Sequence, residues 1–138
     1  MKIMAIDLGT ARTGLAFSDL SGFLAGRSIT VTEHARSRLL EAIGKEIAAE
    51  KPGRIVVGLP LNMNGTEGPK ALECREFAAQ LEEATGLPVV LWDERRTTID
   101  AHQILMNSGK NAKKRKKVVD AVAASLILEG YLTFKKTH

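Results

Sequence analysis

The chain is poor in the residues that build disulfide frameworks and zinc sites. It has one cysteine, Cys74, among 138 residues, so no internal disulfide can form. Its three histidines, His34, His102 and His138, are far apart in sequence, and none stands at zinc-ligand spacing from Cys74. We therefore expect Cys74 to be a small buried apolar residue and the histidines to lie at the surface.

Long apolar runs are also absent. No stretch approaches the roughly 18 consecutive apolar residues of a membrane span, and the first strand-like run reaches an aspartate at position 7, so no signal peptide is visible. Apolar residues make up 44% of the sequence and charged ones 26%, the balance of a globular protein. We expect a cytoplasmic protein with a single domain over residues 1–138, because the chain is too short for two.

Positive charge is concentrated near the C-terminus. Residues 110–136 contain eight Lys or Arg and two acids, although the net charge of the whole chain is only +4. A compact basic run stands within this region: Lys113, Lys114, Arg115, Lys116 and Lys117. Such a run is usually a solvated surface, but it could also bind the phosphate backbone of a nucleic acid. Since it lacks apolar periodicity, we interpret residues 108–117 as an exposed loop.

The first third of the chain has the pattern of three short strands. Residues 2–8 are apolar except for Asp7, a turn-like segment precedes a second strand at residues 14–18, and residues 27–32 are rich in β-branched side chains. Short connections between these strands predict antiparallel pairing.

After residue 32 the apolar period becomes helical. A first helix carries apolar positions at Leu39, Leu40, Ile43 and Ile47 and ends at residues 51–53. A buried strand at 55–57, a loop at 58–69, a second helix, a strand at 89–92 and a third helix at 98–107 follow. The last helix is expected from residue 118 to about 134, with an apolar stripe formed by Val119, Val122, Leu126 and Leu132. This order predicts an α/β protein in which a mixed five-stranded sheet, three antiparallel then two parallel strands, is flanked by helices; it matches the RNase H-like fold.

Acidic residues fall at three positions that this topology could bring together. Asp7 ends the first strand, the pair Asp93-Glu94 ends the fifth, and Asp120 stands in the first turn of the last helix. Each also has a purely structural interpretation. Asp7 could cap a turn, the pair Asp93-Glu94 could be the solvated end of a strand, and Asp120 could interact with the helix dipole. Neighbouring residues on a strand point to opposite faces, so only one of Asp93 and Glu94 can join a shared site, and sequence parity does not choose between them.

A cluster of carboxylates requires a cation, because like charges repel. Mg²⁺ and Mn²⁺ prefer oxygen ligands, so three converging acids predict a site for one or two such ions. This arrangement suits phosphodiester hydrolysis, in which the metal activates water and stabilises the leaving oxygen.

Four segments together give the chain a resemblance to the YqgF/RuvX family. They are residues 5–10 with Gly14, residues 57–66, residues 93–98, and residues 120–124 continuing to 128–131. Members of this family are described as Holliday junction resolvases and as nucleases for the 5′ end of pre-16S ribosomal RNA. The resemblance implies an RNase H-like nuclease whose catalytic and metal-binding acids are Asp7, Glu94 and Asp120.

The resemblance also implies a nucleic acid partner, either structured RNA or branched DNA. We expect Arg95, Arg96 and the basic run to contact it. Unlike RuvC-type resolvases, the chain has no acid at the end of its fourth strand, where Gly58-Leu59-Pro60 stands. This difference puts a direct transfer of resolvase activity in doubt. Residues 62–65 are a further family feature, either near the site or a structural turn.

Four questions remain open from the sequence. The substrate could be a Holliday junction rather than precursor ribosomal RNA, and the protein could be a monomer or a homodimer. The segment from Asp7 to Gly14 also resembles the first phosphate loop of actin-like ATPases and sugar kinases, although 138 residues cannot form their two-domain cleft. Finally, the chain could be a non-catalytic nucleic-acid-binding module.

Overall fold

The computed structural model describes residues 1–96 and 112–137, and for residues 112–120 and 137 it describes the backbone alone. The elements in chain order are β1 (Ile3–Asp7), β2 (Arg12–Ser18), β3 (Ala25–Thr32), α1 (Arg36–Glu50), β4 (Arg54–Leu59), α2 (Pro69–Thr85), β5 (Val89–Asp93), a 3₁₀ turn (Glu94–Arg96) and α3 (Ala112–Thr137). The third helix expected at 98–107 lies outside the described residues. None of the described helices is long and apolar enough to cross a membrane.

The five described strands form one mixed sheet in the order β3-β2-β1-β4-β5. β1 pairs antiparallel with β2, and β2 pairs antiparallel with β3. β4 is parallel to both β1 and β5. The predicted fold class is therefore confirmed, and the carboxyl ends of β1, β4 and β5 lie along the same edge of the sheet, called here the carboxyl edge.

Side-chain alternation divides the interior into two apolar cores. On β1, Met4 and Ile6 belong to the core under α1 and α2, whereas Ile3 and Ala5 belong to the core under α3. The same alternation puts Asp7, the last residue of β1, on the α3 side. The polar end of β1 therefore lies just beyond the apolar core under α3.

α3 runs antiparallel to β1 and β4. Near the start of β4, Arg54 donates a hydrogen bond from Nη1 to the Tyr131 hydroxyl at 2.7 Å. Near the end of β4, Ile127 lies beside Gly58. The residues of α3 that precede Ile127 therefore extend toward the carboxyl edge.

The start of α3 corrects two sequence expectations. Residues 112–117 were expected to be a loop, but α3 begins at Ala112 and includes the whole basic run. Lys and Arg are good helix formers, and a solvated helix turn needs no apolar periodicity. Asp120 consequently lies more than two turns inside α3 rather than in its first turn, and the helix-dipole interpretation of this residue loses its basis.

The apolar stripe expected on the last helix was correct at Leu132, which is buried, and wrong at two other positions. Val122 and Leu126 are only half-buried, and Val119 lies among residues whose side chains are not described. The α3 residues that are buried against the sheet are Ala124, Ile127, Leu128, Tyr131 and Leu132. The small residue Ala124 is completely buried, so α3 lies close to the sheet at this point.

Candidate active site at the carboxyl edge

Two acids from distant parts of the sequence meet at the carboxyl edge. Asp7 ends β1, Glu94 follows β5, and their carboxyl groups share a side-chain hydrogen bond. A hydrogen bond between two carboxyl groups requires a proton on one of them. The pair is therefore poised to accept either a proton or a cation.

Glu94, and not its neighbour Asp93, is the residue directed at Asp7. Trp92 belongs to the α3 core, so Asp93 points to the other side of the sheet and Glu94 returns to the α3 side. Asp93 instead pairs with Arg95, whose Nη2 lies 2.8 Å from its Oδ2. The sequence did not decide between Asp93 and Glu94, because the decision depends on which face of β5 packs against α3.

Gly58 makes room for the Glu94 side chain. It occupies β4 between β1 and β5, next to Asp7 in the sheet and opposite Trp92 in register. A Cβ at this position would lie 2.8 Å from Oε1 of Glu94 and 2.7 Å from Cδ1 of Ile127. The glutamate after β5 therefore fills the space above the end of β4, where the sequence has no acid.

Burial and mutual repulsion change the protonation of both acids. Burial raises the pKa of Asp7, although the hydrogen bond from Glu94 and the positive charge of Lys70 oppose this effect. Burial, the Asp7 charge and the shared hydrogen bond raise the pKa of Glu94 to about 8. The pair therefore holds one proton at neutral pH in the absence of a cation.

The turn after Asp7 is close-packed. A Cβ on Gly9 would collide with the backbone oxygen of Arg12, and the Gly9 amide lies 3.4 Å from Oγ1 of buried Thr13, its hydrogen-bond acceptor. Glycine here permits a tight return of the chain into β2. The close contact at Gly9 is thus made by the backbone of the same turn.

A groove borders Glu94 on the side of the loop between β4 and α2. Its lining residues are Pro60, Leu61, Met63, Asp93, Glu94, Arg95 and Arg96. Across this groove, Arg95 donates from Nη1 to the backbone oxygen of Met63 at 3.3 Å. Segment 62–65 is thus both a turn and a neighbour of the acid pair, which reconciles the two interpretations of that loop.

Arg95 and Arg96, two of the predicted nucleic-acid-binding residues, directly follow Glu94 in the 3₁₀ turn. Arg95 is engaged with Asp93, and Arg96 lies over the rings of Trp92 and Phe134 at 5.3 and 5.4 Å from their centroids. The basic run occupies the first turns of α3, where side chains are not described. A role for these residues in binding nucleic acid stays a prediction.

Asp120 is the third predicted acid, and its side chain is likewise not described. It precedes Ala124 by four residues and Ile127 by seven, the spacing of one row along a helix. Among the described side chains, no group of three or more His, Cys, Asp or Glu could hold a metal ion.

Lys70 also lies near the acid pair, although no sequence pattern indicated it. It is the second residue of α2, and its charge lowers the pKa of both Asp7 and Glu94. The signal in the sequence is weak: a lysine directly after Gly68-Pro69 stands at a helix start, where positive charge is unfavourable.

Comparison with known proteins identifies the family. The RuvX family model, described as Holliday junction resolvase, matches residues 1–134. The chain belongs to this family. Members of the RuvX family are nucleases, so the prediction of an enzyme that acts on phosphodiester bonds is confirmed, and the kinase interpretation of the turn after Asp7 is disfavoured.

Relatives match along their whole length. A protein of Syntrophomonas wolfei named "Putative pre-16S rRNA nuclease" is 47% identical over 135 residues, which cover 96% of this chain and 94% of that protein. A protein of Thermoanaerobacter pseudethanolicus with the same name is 42% identical, with 99% of both chains covered.

Solved structures support the fold. The RuvC of Thermus thermophilus in complex with a Holliday junction substrate superposes with a TM-score of 0.64 at 15% identity, covering 98% of this chain and 96% of that one. The fowlpox virus resolvase, also in complex with Holliday junction DNA, gives a TM-score of 0.58 at 9% identity over 98% and 99% of the two chains. At this level of identity the likeness concerns architecture, and it confirms the RNase H-like fold expected of the RuvX family.

Proposed function

We propose that this chain is a metal-dependent endonuclease in which Asp7, Glu94 and Asp120 are the metal-binding and catalytic acids. The observation that carries the proposal is the buried pair Asp7–Glu94, two carboxyl groups forced together at one sheet edge. Such a pair is unfavourable without a proton or a cation. A structural role alone would not account for the glycine that makes room for it at position 58.

The residues present fit a hard divalent cation. The two acids provide only oxygen ligands, which Mg²⁺ and Mn²⁺ prefer. Cys74, the one thiol of the chain, is buried, and burial raises its pKa to about 11, so it does not compete as a thiolate ligand. One or two ions bound here would supply an activated water and stabilise the leaving oxygen.

The direction of α3 supports Asp120 as the third acid. Ile127 lies beside Gly58 and Glu94, and Asp120 is about two turns closer to the helix start. Because α3 runs antiparallel to β1, those two turns lead from Ile127 toward the carboxyl edge. We therefore expect the backbone of α3 to bring position 120 to the carboxyl edge.

The chain's own groups then have separate roles. Asp7, Glu94 and Asp120 hold and orient the metal, and loss of the proton shared by Asp7 and Glu94 accompanies metal binding. Arg95, Arg96, Lys113, Lys114, Arg115, Lys116 and Lys117 would attract the phosphate backbone, a contribution that carries no sequence information. Residues 1–138 would act as one domain.

The substrate that we propose is the 5′ end of precursor 16S ribosomal RNA, because the relatives that match along their whole length carry that name. A Holliday junction is the second candidate, favoured by the description of the RuvX family model. A non-catalytic binding module is a weaker third, since the site keeps a buried acid pair.

The test compares cleavage of matched substrates. The full chain is incubated with Mg²⁺ or Mn²⁺ and precursor 16S RNA, single-stranded RNA or a four-way DNA junction, and cleavage positions are mapped. Asp7→Asn, Glu94→Gln and Asp120→Asn should each lower kcat more than about 100-fold, because even outer-shell partners of metal ligands cost roughly 10–100-fold. Asp93→Asn is the matched control and should retain most of the activity.

Each outcome discriminates between the functions. Cleavage of the precursor RNA alone supports the proposal, and cleavage of the junction alone supports the resolvase. If the wild type binds these substrates and cuts none of them, the chain is a binding module and the nuclease proposal fails.

A further inference from the structure

The ammonium group of Lys70 is turned inward. The Lys70 side chain is 39% exposed, yet its Nζ atom is buried and has no hydrogen-bond partner among the described residues. Lysines usually show the reverse arrangement, with an apolar stem packed on the protein and the ammonium in water. A buried ammonium without a partner carries a desolvation cost that something else must offset.

Local contacts do not offset this cost. The nearest described anion is Oε2 of Glu73, 3.9 Å from Nζ, which is too far for a hydrogen bond. Lys70 is also the second residue of α2, where the positive end of the helix dipole repels a cation. Neither α2 nor Glu73 therefore explains why the group is held inside.

The acid pair lies near enough to interact electrostatically with this ammonium. The Lys70 charge lowers the pKa of Asp7 and of Glu94, and it acts in the same direction on Cys74, one helical turn further along α2. α2 begins at the carboxyl edge after the loop that follows β4. Lys70 thus stands at the same end of the sheet as the acids, on the helix that covers the face opposite α3.

We propose that Lys70 is a further active-site residue, which binds the phosphate group of the nucleic acid and stabilises the negative charge that grows on it during hydrolysis. The inference rests on the proposed function. Once a divalent cation neutralises Asp7 and Glu94, the ammonium keeps three donors without acceptors, and phosphate oxygens satisfy them. Lysine suits this role because it binds phosphate as a compact charge.

The first test uses Lys70→Met, which keeps much of the stem and removes the charge. It should lower kcat by about 100-fold, the usual loss for one preorganised donor to a developing oxyanion, with a smaller change in KM. Lys70→Arg should recover part of this loss. Lys45→Met, at an exposed position on α1, is the matched control and should leave kcat unchanged.

Two further measurements do not depend on cleavage. In the presence of saturating Mg²⁺, calorimetry should find affinity for inorganic phosphate reduced about tenfold in Lys70→Met and unchanged in Lys45→Met. Without metal, the melting temperature of Lys70→Met should stay close to that of the wild type, because the change removes both the desolvation cost of the buried ammonium and its interaction with the acid pair. A purely structural lysine would lower it.

These experiments distinguish a failure of the inference about Lys70 from a failure of the proposed nuclease function. If the wild type cleaves nucleic acid and Lys70→Met has an unchanged kcat and phosphate affinity, the role of Lys70 is overturned while the nuclease stands. If the wild type cleaves nothing but phosphate binding still depends on Lys70, the phosphate site stands without the nuclease. A fall in melting temperature that parallels the fall in activity overturns the inference.

Discussion

The two edges of the central sheet, where β1 and β4 begin and where they end, differ in how their charged side chains are paired. At the edge where β1 and β4 begin, Lys2 lies 2.9 Å from Glu50, and Arg54 donates to the Tyr131 hydroxyl at 2.7 Å. At the carboxyl edge, where the same strands end, two acids face each other and a lysine ammonium has no hydrogen-bond partner among the described residues. At the first edge most charged groups have a partner within the chain, although Nε of Arg54 is buried without a hydrogen-bond partner in the part of the chain that the structure describes. At the carboxyl edge we expect the acid pair and Lys70 to take their partner from a ligand.

We expect this difference to lower the stability of the folded state at the carboxyl edge, where the proposed function lies. Opposite charges at the first edge favour the folded state modestly. Two buried carboxyl groups at the second edge disfavour it until a proton or a cation joins them. Substitutions at the carboxyl edge should therefore separate activity from stability, while those at the first edge should change stability alone.

Outside the proposed active-site residues, the largest effect is expected from filling the space at Gly58. In Gly58→Ala, the new Cβ would displace the Glu94 carboxylate and the tip of Ile127. We expect kcat to fall by about 100-fold, since small misplacements of catalytic groups can cost that much, together with about 1–3 kcal/mol of stability from overpacking. Cleavage assays and urea denaturation measure the two losses.

Gly44→Ala is the matched control for this substitution. Gly44 lies inside α1, and a Cβ there would meet no atom within 4 Å. The change should stabilise the protein by roughly 0.5–1 kcal/mol through helix propensity and leave activity as it was. Full activity in Gly58→Ala would contradict the role given to Glu94.

A smaller effect is expected from pH. The pKa of Glu94 is raised to about 8 in the folded protein, against 4.5 for an unperturbed glutamate. Between these values the unfolded chain loses a proton that the native state keeps, so the free energy of unfolding should fall as pH rises. We expect a loss of roughly 1–3 kcal/mol, less than the full shift implies because Asp7 shares the proton.

Denaturation of the metal-free protein from pH 4.5 to pH 8 measures this slope. Glu94→Gln should flatten the slope, whereas Asp93→Asn should retain it, because the pairing with Arg95 lowers the pKa of Asp93 and moves it away from this range. Saturating Mg²⁺ should also reduce the loss at high pH, since the cation binds the deprotonated pair. A wild-type protein that becomes more stable toward pH 8 would refute the buried pair.

Much of the fold could be predicted from the sequence, because its strands and helices follow simple periods. The β-branched runs and the helical spacing of Leu39 and Ile43 gave the element order, and that order gave the sheet. The start of α3 was missed because solvated turns rich in Lys and Arg have no apolar period. The buried face of α3 was missed because its small residue, Ala124, does not stand out as a core position.

The site was less accessible to sequence reasoning. Strand periodicity put Asp7 at a sheet edge, but the choice of Glu94 over Asp93 depends on which side of β5 packs against α3. Only the family resemblance favoured Glu94 before the geometry was known. Lys70 gave only a weak signal, a lysine at a helix start, because the burial of its ammonium depends on the surrounding fold.

The smallest effect is expected from Lys2→Met, at the edge of the sheet where β1 and β4 begin. Lys2 pairs with Glu50, which also lies 3.5 Å from Arg27, and the two paired side chains are 17% and 21% exposed. Lys2→Met should lower the free energy of unfolding by at most about 1 kcal/mol, because ion pairs near water contribute little, and kcat should not change. Thermal denaturation and cleavage assays would compare it with Lys70→Met, which should lose activity without losing stability. If both variants lost activity in proportion to stability, the two edges would not differ in function, and the inward turn of Lys70 would be a matter of packing.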